Sequence, residues 1–279
     1  MHREVVGSQE ASTRSSLMAS KGMVASSHEL ASFYGARILS DGGNVVDAAL
    51  ATSAMLCVTQ NNLCGLGGDL FALIKFKGEI LNLNGSGRAS ENATIKFYRD
   101  EKKLKEIPQR GPLAALTVPG IVHAWGELHS KCGTIELKKL LAPAIYYAKN
   151  GFPITRNYSS SIRASTRFLG EFDEWSRIFL PNGSIPEAGC VMKQSDLASS
   201  LEQIANEGAS TFYCGLLSEK IVNGIKKQGG LINENDLKDH RSTWQVPSKT
   251  NYRGVNIFET APNSQAATVL LWLRGSFPP

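Results

Sequence analysis

Residues 41–90 read DGGNVVDAALATSAMLCVTQNNLCGLGGDLFALIKFKGEILNLNGSGRAS, and this stretch decides the fold. Asn44 is a capping residue type and Asp47 follows three positions later, so two acceptors can serve the unpaired amides of a first turn. This spacing predicts a helix over Val45 to Val58. Because almost every residue in that span is small or apolar, we expect burial on most sides. A bilayer-spanning helix needs about 20 residues, so the span is too short for one.

A glycine-rich loop, Gly65, Gly67 and Gly68 with Asp69 beside it, follows this helix. Glycine can adopt positive φ or let the backbone approach another group closely. Loops that bind dinucleotides or phosphates run in the order strand, loop, helix, so that the phosphate meets helix amides. Here the order is helix, loop, strand. The pattern therefore disfavours a nucleotide and favours a tight turn packed against a neighbouring backbone.

Two β-rich runs come next, Leu70–Phe76 and Glu79–Asn84, and their junction at Lys77-Gly78 predicts a hairpin. The second run leads into Ser86-Gly87-Arg88. An arginine on a loop at a strand end is well placed to bind a carboxylate through two hydrogen bonds. Residue type alone leaves a second interpretation open, in which Arg88 forms a structural ion pair.

Length and composition are those of an ordinary globular chain. The 279 residues include 42% hydrophobic and 20% charged residues, with a net charge of +5. The lysines are scattered and lack interleaved aromatic side chains, which argues against a nucleic-acid partner. Five cysteines without paired spacing favour a reducing compartment. Residues 1–21 contain no apolar run that could act as a signal or anchor, so we interpret them as a disordered leader. We therefore expect a cytoplasmic protein with no membrane partner.

The rest of the chain predicts mostly helices. The patterns predict a strand at 22–26, helices at 27–40, 119–133, 134–151, 194–206 and 209–227, a hairpin at 249–259 and a short helix from 264. The helices at 119–133 and 134–151 are expected to pair as a helical hairpin, and residues 155–193 are expected to be irregular. Two β-hairpins with six or seven helices form an α+β pattern rather than alternating βα units.

The histidines and possible nucleophiles do not predict a metal site or a self-contained catalytic site. His123 and His129 lie six positions apart, which does not suit a metal pair on one helix face. His28 is expected at an exposed helix start, without a functional role. A self-contained hydrolase would use Cys64, or a serine with His123, but no G-x-S-x-G elbow supports it. No cofactor is expected.

Seven blocks of sequence resemble the γ-glutamyltranspeptidase family, in the family's order. They are GMVASSHELAS (22–32), ILSDGGNVVDAALA (38–51), GLGGDLFAL (65–73), TVPGIVHAW (117–125), LLAPAIYYAKNGFPI (140–154), QGGLINENDL (228–237) and YRGVNIFETAPNSQ (252–265). Ordered blocks across most of the chain are a far more specific signal than one glycine motif.

The resemblance implies an N-terminal-nucleophile hydrolase with a four-layer αββα fold, made as a precursor that cleaves itself into a large and a small subunit. The N-terminal threonine of the small subunit would be the nucleophile, with its own α-amino group as the base. The acyl donor would be a γ-glutamyl compound such as glutathione, and water or an amino acid would accept the acyl group. Gly65, Gly67, Gly68 and Asp69 would form a structural loop near that site.

Two departures from the family pattern set the remaining expectations. The chain ends at Pro279, before the family's junction, so residues 22–279 are expected to be an incomplete large-subunit region with a partial αββα fold, inactive without the missing segment. A non-catalytic fragment is the alternative.

The second departure concerns the arginine. Transpeptidases proper hold the substrate α-carboxylate with an arginine in an R-E-x-x-P context. In this sequence Ser86 occupies the position of that arginine, and Arg88 comes two residues later. This form is more similar to transpeptidase-related amidohydrolases. Ser86 and Arg88 are therefore the candidate substrate-binding residues, and the acyl group is either γ-glutamyl or another small amide.

Overall fold

The computed structural model describes residues 16–275 as a mixed α+β fold. The helices are α1 (Glu29–Ser40), α2 (Val45–Thr59), α3 (Ile121–Cys132), α4 (Leu137–Asn150), α5 (Arg156–Leu169), α6 (Asp173–Phe179), α7 (Ser195–Glu207), α8 (Leu216–Lys227), α9 (Glu234–Lys238) and α10 (Ala266–Gly275). The strands are β1 (Leu70–Phe76), β2 (Glu79–Gly85), β3 (Phe152–Pro153), β4 (Val191–Met192), β5 (Thr243–Gln245), β6 (Ser248–Tyr252) and β7 (Val255–Glu259). Short helical turns of other types cover Lys96–Glu101, Pro181–Gly183 and Ala209–Phe212.

Helix α2 is the centre of the core and contacts α1, α3 and α4. Asn44 Oδ1 accepts from Val46 N and Asp47 N, and Asp47 Oδ2 accepts from Asn44 N, which completes a capping box. Most of the helix is fully buried, including Leu50 and Met55. The predicted start and the predicted burial of this helix are confirmed.

Asp47 also holds together two parts of the chain that are far apart in sequence. Its carboxylate accepts from Thr134 N at 2.9 Å, from Thr134 Oγ1 at 2.5 Å and from Ile135 N at 3.3 Å. The side chain has no exposed surface. Burial alone would raise the pKa of Asp47, but the hydrogen bonds from Thr134, Asn44 and Ile135 together lower it below its usual value. The turn between α3 and α4 is therefore anchored on the first turn of α2.

The main sheet is antiparallel in the order β1-β2-β5. Alternate residues of β1, from Leu70 to Phe76, pack against the helical core, while Phe71 and Leu73 on the opposite face are 39% and 40% exposed. Two smaller antiparallel pairs, β3-β4 and β6-β7, complete the strands. The two predicted hairpins, β1-β2 and β6-β7, are confirmed, whereas β5 is a strand that the sequence pattern did not predict.

The start of the described chain differs from its prediction. Residues 22–26 form no strand, because no other strand among residues 16–275 pairs with them. Helix α1 begins at Glu29, and its cap is His28, whose Nδ1 accepts from Leu30 N at 3.2 Å. His28 is only 3% exposed, so the expected exposed helix start is wrong. Most of the predicted leader, residues 1–15, lies outside the described residues.

Three further differences concern the helical part. Residues 155–193 contain α5 and α6, because Tyr158 and Ile162, four residues apart, give α5 a buried stripe within a Ser- and Arg-rich composition. Helix α4 packs against α2 and α7 rather than forming a hairpin with α3, since Asp47 holds the intervening turn. The helix predicted over 209–227 is broken at Gly215, which has a φ of +111°.

In residues 16–275, no helix combines the length and apolar character needed to cross a bilayer.

Candidate functional site

The glycine loop runs from the end of α2 to β1 and is bonded to the start of α3. Gly68 N donates to Gly65 O at 2.9 Å, and Gly68 O accepts from Gly120 N at 2.9 Å and from Ile121 N at 3.0 Å. None of the loop glycines, Gly67 included, has a left-handed φ. Because the first amides of α3 already bond to the loop, they cannot bind a phosphate. The loop is a tight turn packed against a neighbouring backbone.

Asp69 connects this loop to the exit of β2. Its Oδ1 accepts from Gly87 N at 3.1 Å, while part of the side chain stays exposed. Desolvation by the surrounding chain raises the pKa of Asp69, and the hydrogen bond from Gly87 opposes that shift. The structure thus places Asp69 directly beside the segment that carries Arg88.

Three glycines allow the exit of β2 to pass against the segment that precedes α3. A Cβ on Gly87 would lie 1.7 Å from Val118 O, and a Cβ on Gly120 would lie 1.9 Å from Gly85 O. Immediately after this contact, Val118 N donates to Arg88 O at 2.9 Å. Any side chain at Gly87 or Gly120 would force the two backbones apart. This close approach fixes the backbone of Arg88.

Ser86 belongs to a separate cluster of polar side chains. Its Oγ donates to Asn84 Oδ1 at 2.8 Å, and Asn263 Oδ1 is a second acceptor 3.1 Å away. Asn84 Nδ2 also donates to Asn263 Oδ1, at 2.9 Å. The Ser86 hydroxyl is therefore bonded within the protein. Ser86 and Arg88 are neighbours along the chain, but they do not line one common cavity.

Arg88 is exposed and lines a cavity of about 210 Å³ between the exit of β2 and α9. The other lining residues are Ala89, Glu91, Val118, Asn235, Asp236, Asp239 and His240. Within residues 16–275, the Arg88 guanidinium forms no ion pair at 4.0 Å or less. We refer to this space as the Arg88 cavity.

Two of the acidic residues in the Arg88 cavity are occupied by structural hydrogen bonds. Asp236 accepts from Glu91 N at 3.1 Å and from Asn233 N at 2.9 Å, and so caps α9. Glu91 Oε1 accepts from Asn233 Nδ2 at 2.9 Å. Asp239 is exposed and remains available at the rim. The Arg88 guanidinium therefore shares the cavity with three carboxylates, of which Glu91 and Asp236 are already hydrogen-bonded and Asp239 lies at the rim.

His240, which lines the Arg88 cavity, belongs to a group of three packed rings. The His240 ring stacks on Tyr213 with centroids 5.3 Å apart, and the His123 ring meets both of them edge-on. Tyr213 Oη donates to Pro119 O at 2.8 Å and accepts from His123 N at 2.9 Å, which fixes the group to the start of α3. No pattern in the sequence pointed to His240 or Tyr213.

His240 carries a polar atom without a partner. The side chain is 5% exposed, and its Nε2 has no hydrogen-bond partner among the described residues. Burial lowers the pKa of His240 to about 4, with further lowering from His123, Arg241 and Arg88. The ring is therefore neutral near pH 7. The Nε2 atom has essentially no exposed surface, so His240 contributes packing rather than a contact for a ligand.

No cluster of three or more potential metal ligands of the His, Cys, Asp and Glu types occurs in the part of the chain that the structure describes. The site instead consists of the Arg88 guanidinium on a fixed backbone, a neutral histidine and the carboxylates of Glu91, Asp236 and Asp239 around a small cavity. The guanidinium is the group in this cavity that can bind the carboxylate of a small organic ligand.

Residues 31–276 match the family model for Gamma-glutamyltranspeptidase, and the chain belongs to this family. The resemblance seen in the sequence blocks is confirmed. A solved structure with this fold is the gamma-glutamyltranspeptidase of Helicobacter pylori, which has a TM-score of 0.87 and 31% identity, with 92% of this chain and 74% of that chain covered. The α+β fold is thus part of an N-terminal-nucleophile hydrolase fold, as expected.

Further relatives have names that refer to different substrates. The Glutathione hydrolase-like YwrD proenzyme of Bacillus subtilis is 39% identical over 93% of this chain and 49% of its own length. The Oxamate amidohydrolase proenzyme of Klebsiella pneumoniae is 32% identical over 92% of this chain and 49% of its own length. A cephalosporin acylase from Bacillus halodurans has a TM-score of 0.87 and 35% identity, covering 95% of this chain and 50% of that chain. The chain spans about half the length of the curated relatives it matches.

Proposed function

We propose that this chain supplies the large-subunit side of an acyl-transfer site for small amides, with γ-glutamyl compounds as the first substrate class, and that Arg88 binds the substrate carboxylate. The observation that carries this proposal is the guanidinium of Arg88, which forms no ion pair within residues 16–275, on a backbone fixed by the contact of Gly87 with Val118. A guanidinium can form two parallel hydrogen bonds with a carboxylate, and on a fixed backbone only the side chain has to become ordered on binding. Family membership supports the reaction class.

The catalytic nucleophile is proposed to be an N-terminal threonine from a segment outside these 279 residues. Two observations support this. The chain covers 49% of the Bacillus subtilis relative, and that relative is named a proenzyme. We further propose residues 22–279 as the large-subunit region and the cytoplasm as its location, which five free cysteines favour. Cell fractionation would test the location.

The chain alone is expected to show no turnover of γ-glutamyl-p-nitroanilide, because it would lack the nucleophile. Joined in frame to the part of the Bacillus subtilis relative that it does not match, it is expected to release p-nitroaniline. The measurement is absorbance of the released product over time. A joined protein whose junction threonine is replaced by alanine is the control, and it should be inactive. Turnover by the 279 residues alone would disprove the assignment of the nucleophile to another segment.

Replacing Arg88 by Ala in the joined enzyme is expected to lower kcat/KM for the γ-glutamyl substrate by about tenfold or more. The reason is the loss of a charge-assisted contact worth about 1.5–3 kcal/mol. The kcat/KM of Arg88→Lys should lie between those of the wild type and Arg88→Ala, since lysine keeps the charge but not the bidentate geometry. Steady-state kinetics of the three proteins measure the effect.

Two controls separate carboxylate binding from a general loss of structure. Arg110 stacks on the Phe168 ring at 4.4 Å, away from the Arg88 cavity, and Arg110→Ala should leave kcat/KM within about twofold. A substrate without the α-carboxylate, γ-aminobutyryl-p-nitroanilide, should be insensitive to Arg88→Ala. If Arg88→Ala slows both substrates equally, Arg88 does not bind the carboxylate.

A second candidate function is hydrolysis of another small amide, such as oxamate. Two observations favour it: Arg88 lies in a cavity of only about 210 Å³ without Ser86, and one relative of 32% identity is named an oxamate amidohydrolase. Comparing kcat/KM of the joined enzyme for oxamate and γ-glutamyl-p-nitroanilide would decide between the two. Failure of every joined protein to act on either amide would favour a non-catalytic role.

A further inference from the structure

A second cavity lies beside the Arg88 cavity and takes no part in the proposed carboxylate contact. It has a volume of about 330 Å³ and lies between residues 111–116, the junction of α5 and α6, and the end of α8. Its wall is almost entirely carbon, supplied mainly by Pro112, Leu116, Leu169, Phe172, Trp175 and Ile225. A space of this size and lining suits a small apolar or aromatic group. We refer to it as the apolar cavity.

The charge that borders the apolar cavity is compensated. Among the described residues that line it, Glu174 is the one with a charge, and its carboxylate pairs with Arg177 at 3.0 Å. Gln228 also lines the cavity and supplies an exposed, uncharged amide. A charged group buried against this wall would lose its hydration without gaining a partner. The part of a ligand that enters the apolar cavity is therefore expected to be uncharged.

Close backbone contacts give the apolar cavity a fixed shape. A Cβ on Gly230 would lie 3.3 Å from Pro112 O, so the chain after α8 passes close to the facing loop. Gly230 N donates to Ile225 O at 2.9 Å, and Ala114 N donates to Gly111 O at 3.0 Å in the facing loop. Because these bonds hold both walls, a ligand would enter a space that is already formed.

The apolar cavity and the Arg88 cavity border the same two chain segments. On one segment, Leu116 lines the apolar cavity and Val118 lines the Arg88 cavity. Thr117 between them forms a β-bridge, and two residues of extended backbone span about 7 Å. On the other segment, Gly230 lines the apolar cavity and Asn235 lines the Arg88 cavity. One small molecule can therefore reach both cavities.

We propose that the apolar cavity binds the amine side of the amide whose carboxylate Arg88 binds, an inference that rests on the proposed function. In a γ-glutamyl amide, five bonds separate the α-carboxylate carbon from the amide nitrogen, a span of about 6 Å when extended. A substituent on that nitrogen thus begins at a distance that matches the spacing of Leu116 and Val118. The favoured substrates are then γ-glutamyl amides of aromatic or branched alkyl amines, and amides of small or charged amines are poorer substrates.

Calorimetric titration of the 279-residue chain with two ligands tests this inference. γ-Glutamyl-benzylamide and γ-glutamyl-methylamide share the carboxylate and an alkyl amine, and they differ by the phenyl ring. The benzylamide is expected to bind at least about tenfold more tightly, because its ring leaves water. Leu116→Asp should abolish this preference by placing a charge in the wall. Leu216→Asp is the matched control and should keep it, since Leu216 is 68% exposed at the start of α8 and does not line the cavity.

Two further variants separate the inference from the proposed function. Gly224→Leu should also remove the preference, because Gly224 lines the apolar cavity and a Cβ there would meet no atom within 4 Å, which leaves room for the larger side chain. Arg88→Ala should weaken the binding of both ligands by the same factor. If it changes neither affinity, the carboxylate contact fails and the inference fails with it. If it weakens both ligands while the benzylamide binds no more tightly than the methylamide, only the inference fails.

The joined enzyme shows whether the apolar cavity stays open in the longer protein. Its kcat/KM for the benzylamide should exceed that for the methylamide by about tenfold or more, and Leu116→Asp should lower this ratio toward one. The inference is overturned if the joined enzyme shows no preference although the 279-residue chain does, since the added segment would then fill the cavity. It is also overturned if Leu116→Asp and Gly224→Leu both keep the preference.

Discussion

Gly87→Ala is expected to destabilise the fold by about 3 kcal/mol or more, the largest effect of any single methyl group that we predict. The added Cβ would lie 1.7 Å from Val118 O, 2.6 Å from Val118 C and 2.8 Å from Val118 N. All three atoms are backbone, so no side chain can rotate away to relieve the contact. The exit of β2 and the segment before α3 must separate, and the hydrogen bond from Val118 N to Arg88 O is lost with them.

Urea unfolding followed by circular dichroism measures the effect of Gly87→Ala, and Gly224→Ala is the matched control. Gly224 lies inside α8, and a Cβ there would meet no atom within 4 Å. Because alanine has the higher helix propensity, Gly224→Ala should stabilise the chain by up to about 1 kcal/mol. An unchanged unfolding midpoint for Gly87→Ala would show that the two backbone segments are not in close contact. In the joined enzyme, Gly87→Ala should also reduce carboxylate binding by Arg88.

Asp47→Asn is expected to cost about 3 kcal/mol of stability, although it exchanges a single atom of the side chain. Four donors from Asn44, Thr134 and Ile135 point at the buried carboxylate. An amide keeps one acceptor oxygen and turns an NH2 group toward donors, so several buried hydrogen bonds are lost. Asp196→Asn is the control, since Asp196 is 73% exposed and pairs with Arg177 at the surface. It should change the free energy of unfolding by less than about 1 kcal/mol.

The stabilisation by Asp47 should also depend on pH. The pKa of Asp47 is lower in the folded state than its ordinary value, so the unfolded chain binds the proton more readily and stability rises with pH in this range. The contribution is complete above the unfolded pKa of about 3.9 and disappears as the pH falls through the lower folded pKa. Unfolding of the wild type and Asp47→Asn at several pH values tests this. If the difference in the free energy of unfolding between the wild type and Asp47→Asn stayed constant through the acid range, the stabilisation would not come from the charge of Asp47.

The fold was predictable where neighbouring residues decide it. Asn44 and Asp47 cap α2 through contacts three residues apart, and the apolar run after them is buried as its composition requires. The hairpin of β1 and β2 follows from alternation and a two-residue turn at Lys77 and Gly78. Helix α5 was missed because its composition is polar and only two of its three buried residues, Tyr158 and Ile162, are hydrophobic. Strand β5 was missed because its three residues pair with β2 far along the chain.

The candidate site was predictable only in part. Arg88 could be found because an arginine beside glycine at a strand exit is a recognisable local pattern. His240 could not be found, because its burial and its contacts with Tyr213 and His123 join segments that are far apart in sequence. The separation of Ser86 from the Arg88 cavity was also invisible, since Asn263, which accepts from Ser86, lies 177 positions away.

The sequence by itself determined the family, the buried helix α2, the hairpin beside it and the position of an arginine at the strand exit. These features depend on side-chain periodicity, capping and ordered motifs, all of which act over a few residues. Only the tertiary structure decided that Gly87 must be glycine, that Asp47 anchors Thr134 and that His240 stacks on Tyr213. Periodicity tells which face of an element turns inward, but it does not tell which backbone or side chain that face will meet, because that neighbour is set by the packing of distant segments.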